Sequence, residues 1–163
     1  MTRILGIDPG LNITGYGIVD VAGSRAKLVE YGHIRTAAGQ DLSDRLLTIY
    51  NRVTELLATH QPDHVAIEDI FYAENVKTAI VMGHARGTIL LAARRAGADI
   101  SEFSPREVKM SVVGNGGASK SQVKFMVQRL LNIREPIRPD DASDALAVAL
   151  CHWHRQRFNL GVK

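Results

Sequence analysis

The order of apolar and polar positions along the chain predicts ten elements. Arg3 to Asp8 is a short buried strand, punctuated by Pro9-Gly10. Thr14 to Val21 is a second strand, with glycines where backbone or ligand can approach closely. Lys27 to Thr36 alternates as a third, with Leu28 and Ile34 among its apolar positions. The short links between these three suit an antiparallel meander. From Asp41 to His60, Leu42, Leu46, Ile49, Val53, Leu56 and Leu57 recur at spacings of three and four, a helix that Pro62 stops. His64 to Glu68 is an apolar strand ending in a charge. Residues 75–96 form a second helix rich in Ala and Leu. Gly83 and Gly87 lower its propensity, which points to a close packing contact. Asp99 to Phe103 is a fifth strand, and Pro105 opens a short helix to Val112. After a glycine-rich loop, Gly114 to Gly117, Ser119 caps a helix to Leu131. Arg134 to Pro139 links it to a last helix, Asp140 to Arg157. The order βββ-α-β-α-β-α-α-α fits an α/β fold, a mixed sheet with helices on its faces.

The chain has 163 residues, and at roughly 150 per domain residues 1–163 make one domain. With 45% hydrophobic and 23% charged residues, a disordered chain, a collagen-like fibre and a small disulfide scaffold are excluded. The longest apolar run, Ala145 to Cys151, is far shorter than the roughly 20 residues of a membrane span. The start, MTRILGIDPG, lacks the apolar core and cleavage site of a signal peptide. The single cysteine, Cys151, fits a reducing cytosol, so a cytoplasmic protein is expected.

Candidate chemistry lies in the acids. Asp8 and Glu68 each end a strand. Asp141 and Asp144 stand three apart in the first turn of the last helix, near one face. Strand ends are where an α/β sheet forms its ligand crevice, so if strands one and four are neighbours Asp8 and Glu68 meet there. Each acid also has a plainer reading: a turn residue at Asp8, a solvated strand end at Glu68, acids favoured by a helix N-terminus at Asp140, Asp141 and Asp144. Asp140 reads as a cap. Gathered carboxylates repel, and a divalent cation removes that cost. An all-oxygen donor set suits Mg²⁺ or Mn²⁺ rather than Zn²⁺, and no His/Cys zinc spacing competes. Two such ions about 4 Å apart can hold the attacking water and leaving oxygen of a phosphodiester.

Six ordered blocks carry a resemblance. They are Ile4-Leu-Gly-Ile-Asp-Pro-Gly10 with Thr14-Gly-Tyr-Gly17, Ala66-Ile-Glu68 with Phe71, Gly83-His-Ala-Arg-Gly87, Arg106-Glu-Val-Lys109 with Val112-Val-Gly114, Ser119-Lys-Ser-Gln-Val123, and Asp141-Ala-Ser-Asp-Ala-Leu-Ala147. Spanning nearly the whole chain, they resemble the RuvC family of Holliday junction resolvases in the ribonuclease H-like superfamily. The resemblance implies a five-stranded mixed sheet with helices on both faces. It also implies a homodimeric nuclease that nicks two strands of like polarity in a four-way DNA junction, leaving 5′-phosphate and 3′-hydroxyl ends, during recombination and repair. The family's metal-binding acids fall on Asp8, Glu68, Asp141 and Asp144, with Mg²⁺ as the expected ion and Mn²⁺ able to substitute. Lys109 and Lys120 match lysines near DNA, Lys120 in a catalytic role. Phe71 resembles a base-stacking wedge. The helix at Asn75–Arg95 is the candidate dimer interface, and branch-migration proteins RuvA and RuvB are the implied partners; no membrane is. Two departures stand out: Glu74 occupies a loop position where many relatives carry a basic residue, and the chain stops at Lys163 without the longer tail of some members.

Four rival readings fare worse. Gly114 to Ser121 nearly spells a phosphate-binding loop, but Ser119 replaces a glycine and a helix precedes it instead of a strand. A sugar-kinase or actin-like ATPase shares the opening Asp-x-Gly but needs two lobes. An inactive junction-binding scaffold would not need four clustered acids, and other ribonuclease H-like nucleases lack the Phe71 and Lys120 blocks. The net charge of +3 hides an asymmetry: residues 1–81 hold 7 basic and 10 acidic residues, residues 82–163 hold 13 and 7. With the four site acids set against metal, 20 Lys/Arg face 13 Asp/Glu, a basic remainder for an anionic partner.

Overall fold

A computed structural model describes residues 1–69 and 75–161. The strands are β1 (Thr2–Asp8), β2 (Ile13–Ala22), β3 (Arg25–Arg35), β4 (His64–Glu68) and β5 (Asp99–Phe103). The helices are α1 (Leu42–His60), α2 (Val76–Arg95), α3 (Pro105–Val113), α4 (Lys120–Leu131) and α5 (Asp140–Gly161). Element order and type agree with the sequence pattern. The last helix runs four residues beyond Arg157, because Phe158 to Gly161 contain nothing that stops a helix before the glycine.

One mixed sheet has the order β3-β2-β1-β4-β5. β1, β2 and β3 form the antiparallel meander, while β1–β4 and β4–β5 are parallel. Strands one and four are neighbours, with Ile7 beside Ile67, so Asp8 and Glu68 end adjacent parallel strands. The twofold alternation of side chains then sorts the residues. Leu5, Ile7, Val65 and Ile67 pack under α1 and α2. Ile4 and Ala66 face the opposite side, against α5 with α3 and α4 outside it. Asp8 and Glu68, in phase with Ile4 and Ala66, point to the α5 side.

Helix α5 is enclosed rather than amphipathic: from Ala142 to Trp153 every residue but the half-buried Asp144 is buried. Three glycines let it lie directly on the sheet. A Cβ on Gly6 would stand 2.1 Å from the Ala145 carbonyl oxygen, and one on Gly15 would stand 1.9 Å from that of Asp141. On Gly17 it would meet the Leu146 side chain at 2.4 Å. The close approach expected of these strand glycines is therefore made by helix backbone. At the far end His152 is buried with both ring nitrogens unpaired, its ring 4.8 Å from that of His64. Burial pushes its pKa down to about 4, so it is neutral in the folded protein.

Gly83 and Gly87 meet nothing within 4 Å of a built Cβ among the described residues, and both are exposed. The face that α2 buries on the sheet is instead Ala85–Ile89–Ala92–Ala93.

Gly15→Ala is expected to destabilise the fold by about 3 kcal/mol, since the clashing atom is backbone and cannot rotate away. Thermal denaturation should show a midpoint lower by roughly 6–12 °C, at about 2–4 °C per kcal/mol for a chain of this size. Gly39→Ala, with open space around it, is the control expected to leave the midpoint unchanged.

Candidate active site

The site is assembled where β1, β4 and the N-terminus of α5 converge. Asp8 and Glu68 come from the strand ends, Asp141 and Asp144 from the first turns of α5. The Asp8 and Glu68 carboxyls lie close enough that each perturbs the other. Burial first, then the neighbouring charges of Glu68, Asp144 and Asp141, holds Asp8 well above the ordinary carboxyl range. Burial and the Asp144 charge push Glu68 up to about 7. Asp144 is also raised, by burial, against the opposing pull of Lys120. Asp140 does not join them. It pairs with Lys124, whose ammonium keeps its carboxyl below the usual range, in a first-turn position the helix favours.

Both predicted lysines are present. The Lys120 Nζ lies 3.3 Å from Asp144 Oδ2. Lys109 and Lys120 line a cleft of about 240 Å³ with Glu68 and Asp144. Lys120 is the first residue of α4, held there by a reciprocal cap: Ser119 Oγ accepts from Gln122 N at 3.2 Å, and Gln122 Oε1 accepts from Ser119 N at 2.8 Å. A cation at a helix N-terminus opposes the helix dipole by roughly 0.3–1 kcal/mol, so the position serves the acids rather than the helix. An equivalent Ser104–Glu107 box starts α3 and sets Lys109. Phe71, with Tyr72 and Glu74, lies outside the described residues.

Supporting residues escaped the sequence reading. The buried Arg45 donates to Thr36 Oγ1 at 2.8 Å and to Asn12 Oδ1, and Thr36 Oγ1 donates to the Leu11 carbonyl. Thr14 Oγ1 donates to the Gly10 carbonyl at 2.6 Å. Together they fix the loop that leaves Asp8. Arg86 pairs with Asp69, at 3.4 Å, and with Glu102, tying the end of β4 to β5 beside Glu68. Arg45 was visible as a charge four residues before Ile49 on the apolar face of α1, and Arg86 lies in the Gly83–Gly87 block.

These residues fit a divalent cation. Their donors are all carboxylate oxygens, and gathered like charges are what a hard cation offsets. Among the described residues no three His, Cys, Asp or Glu side chains are close enough to cage one ion as they stand.

A sheet of this topology, with carboxylates at the ends of β1 and β4 and on the closing helix, defines a ribonuclease H-like protein. The family description "Crossover junction endodeoxyribonuclease RuvC" matches residues 4–152, and the chain belongs to that family. A RuvC from Ruminiclostridium cellulolyticum is 47% identical over 155 residues, 95% of this chain and 93% of its own. Another from Heliobacterium modesticaldum is 50% identical, covering 93% of each. Among solved structures, Thermus thermophilus RuvC in complex with a Holliday junction substrate superposes with a TM-score of 0.93 at 34% identity, covering 98% of this chain and 97% of that one. The yeast mitochondrial Holliday junction resolvase Ydc2, at 16% identity and a TM-score of 0.67, shares the fold; the match covers 98% of this chain and 82% of that one.

The raised carboxyls predict a pH response with a definite sign. Between about pH 4.5 and 7 the folded site holds protons that the unfolded chain has released, so stability falls as pH rises through that window. In chelator, Asp8→Asn should melt higher than the parent at pH 8, by about 1 kcal/mol, and the difference should shrink towards pH 5. Mg²⁺ should raise the parent's melting point more than the variant's. Equal melting curves at both pH values would remove the charge-repulsion account.

Proposed function

We propose that this protein resolves four-way DNA junctions by hydrolysing one phosphodiester in each of two strands of like polarity, leaving 5′-phosphate and 3′-hydroxyl ends, in recombination and repair. The observation that carries the reading is that Asp8 lies within the field of Glu68, Asp141 and Asp144, while Glu68, Asp144 and Lys120, the last against Asp144, line one cleft. The four acids are the metal ligands, Mg²⁺ the resident ion with Mn²⁺ a substitute. When bound, the metal supplies a neutralising charge and an acidified water. Asp8 and Glu68, with Asp141 and Asp144, would hold the ion beside the scissile phosphate, where its charge would offset the repulsion among the four carboxylates. Lys120 leaves Asp144 for the phosphate oxygens and offsets charge that builds in the transition state. Lys109, farther along the cleft, positions the strand. Phe71 is assigned to stacking at the junction centre.

The protein acts as a homodimer of one nuclease domain, residues 1–163, per subunit. On α2, Val76, Ile80, Gly83, Gly87 and Leu91 recur at spacings of four and three, all exposed. Such a stripe suits a second α2 across a twofold axis. The branch-migration proteins RuvA and RuvB are its working partners, in the cytoplasm. Among the described residues no helix is long and apolar enough to cross a membrane.

The test incubates the protein with a synthetic four-way junction, linear duplex and an RNA–DNA hybrid, with Mg²⁺ and with chelator. Symmetric nicking of the junction alone, only with metal, is expected. Asp8→Asn should bind the junction and cut it at least about 100-fold more slowly; Lys120→Ala should lose roughly 10²–10³-fold, the scale of one transition-state donor. Equal cutting of duplex would overturn junction selectivity. Normal cutting by Asp8→Asn would overturn the site.

For the subunit contact, Ile80→Glu is expected to give monomers in sedimentation velocity while the melting point of the fold stays put, because Ile80 is already exposed. A dimer that survives the substitution would remove α2 as its interface.

A further inference from the structure

A groove of about 820 Å³ lies between α3 and the C-terminal half of α5, lined by none of the four site acids. Its floor carries the Phe103 ring, Met110 and Phe158, the last two exposed at 49% and 73%. Its rim carries Arg106, Arg155 and Arg157. Two of these guanidiniums are held flat on aromatic rings, Arg155 Cζ 4.8 Å from the Phe103 centroid and Arg157 Cζ 5.3 Å from that of Trp153. Stacking orients them and leaves their N–H edges free. Among the described residues none of the three arginines has a carboxylate partner within 4.0 Å. The one carboxylate in the groove, Glu107, already accepts from Ser104 N at 2.7 Å.

Three unpaired arginines around apolar side chains are complementary to a ligand that is both acidic and apolar. The junction does not fit. Asp144 and Arg155 are eleven residues apart on one helix, about 16 Å along its axis. A phosphate backbone also offers nothing for Met110 and Phe158 to bury against. A second copy packed groove to groove would set its arginines against these. We propose that this groove docks a carboxylate-rich amphipathic segment of another protein. The segment's acids take Arg106, Arg155 and Arg157, and a large apolar side chain lies between Met110 and Phe158.

The test pans a displayed library of random dodecapeptides against the immobilised full-length protein, then measures the enriched peptides in solution by fluorescence anisotropy. Peptides with at least two acids beside Leu, Ile or Phe are expected. Their affinity should fall at least tenfold for the double variant Arg155→Glu/Arg157→Glu and for Phe158→Ser, while both variants cut junctions at the parent rate. The arginine and phenylalanine side chains are exposed, so the fold should survive; if the double variant does not melt cooperatively, Phe158→Ser carries the comparison. Failure to enrich, enrichment without acidic residues, equal binding by the variants, displacement of peptide by junction DNA, or self-association abolished by Phe158→Ser would each overturn the proposal.

Discussion

Everything at the cleft depends on helix backbone touching sheet backbone. Helix α5 reaches β1 and β2 because residues 6, 15 and 17 have no side chains, and because Ala145 and Ala149 offer little bulk in return. An ordinary helix on an ordinary sheet stands about 10 Å away, too far for first-turn aspartates to share a site with acids on the strands. Here the Gly15–Asp141 contact pins the helix start to the strand that pairs with β1 opposite Asp8. The catalytic geometry follows from main-chain proximity; the side chains only decorate it.

That proximity has an electrostatic cost, which the surrounding residues contain without cancelling. Lys120 pairs with Asp144, burial and neighbouring charge raise the Asp8 and Glu68 carboxyls, and Lys124 pairs with Asp140. Arg45 and Arg86 do not touch the acids. They lock the loop after β1 and the end of β4, so that repulsion cannot open the cleft by moving backbone. Stability is given up where, on the proposed reading, a cation would restore it.

Much of this was legible before any coordinates. The twofold and 3.6-fold apolar periods gave all ten elements within a few residues, and the strand-end acids marked the crevice once strands one and four were taken as neighbours. Composition could not say which face Asp8 occupies; that needed the phase of Ile4 and Ala66 in the sheet. The α2 glycines could not be placed from sequence, because a glycine in a helix signals close approach without saying whether the partner lies in the same chain. Arg45 and Arg86 were missed because a lone arginine on a half-buried face is indistinguishable from a snorkelling one until its acceptors are located.

Helix α5 also joins two places that have no contact with each other. Its first turn carries two of the site acids, and its last turns carry the stacked arginines of the groove. Buried from Ala142 to Trp153 except at Asp144, it is a strut of fixed length and fixed azimuth. On the proposed reading, whatever grips one end is held at a set distance and bearing from the strand cut at the other. The helix would then also be a surveyor's rod, on which partner and DNA are laid out relative to each other without either touching.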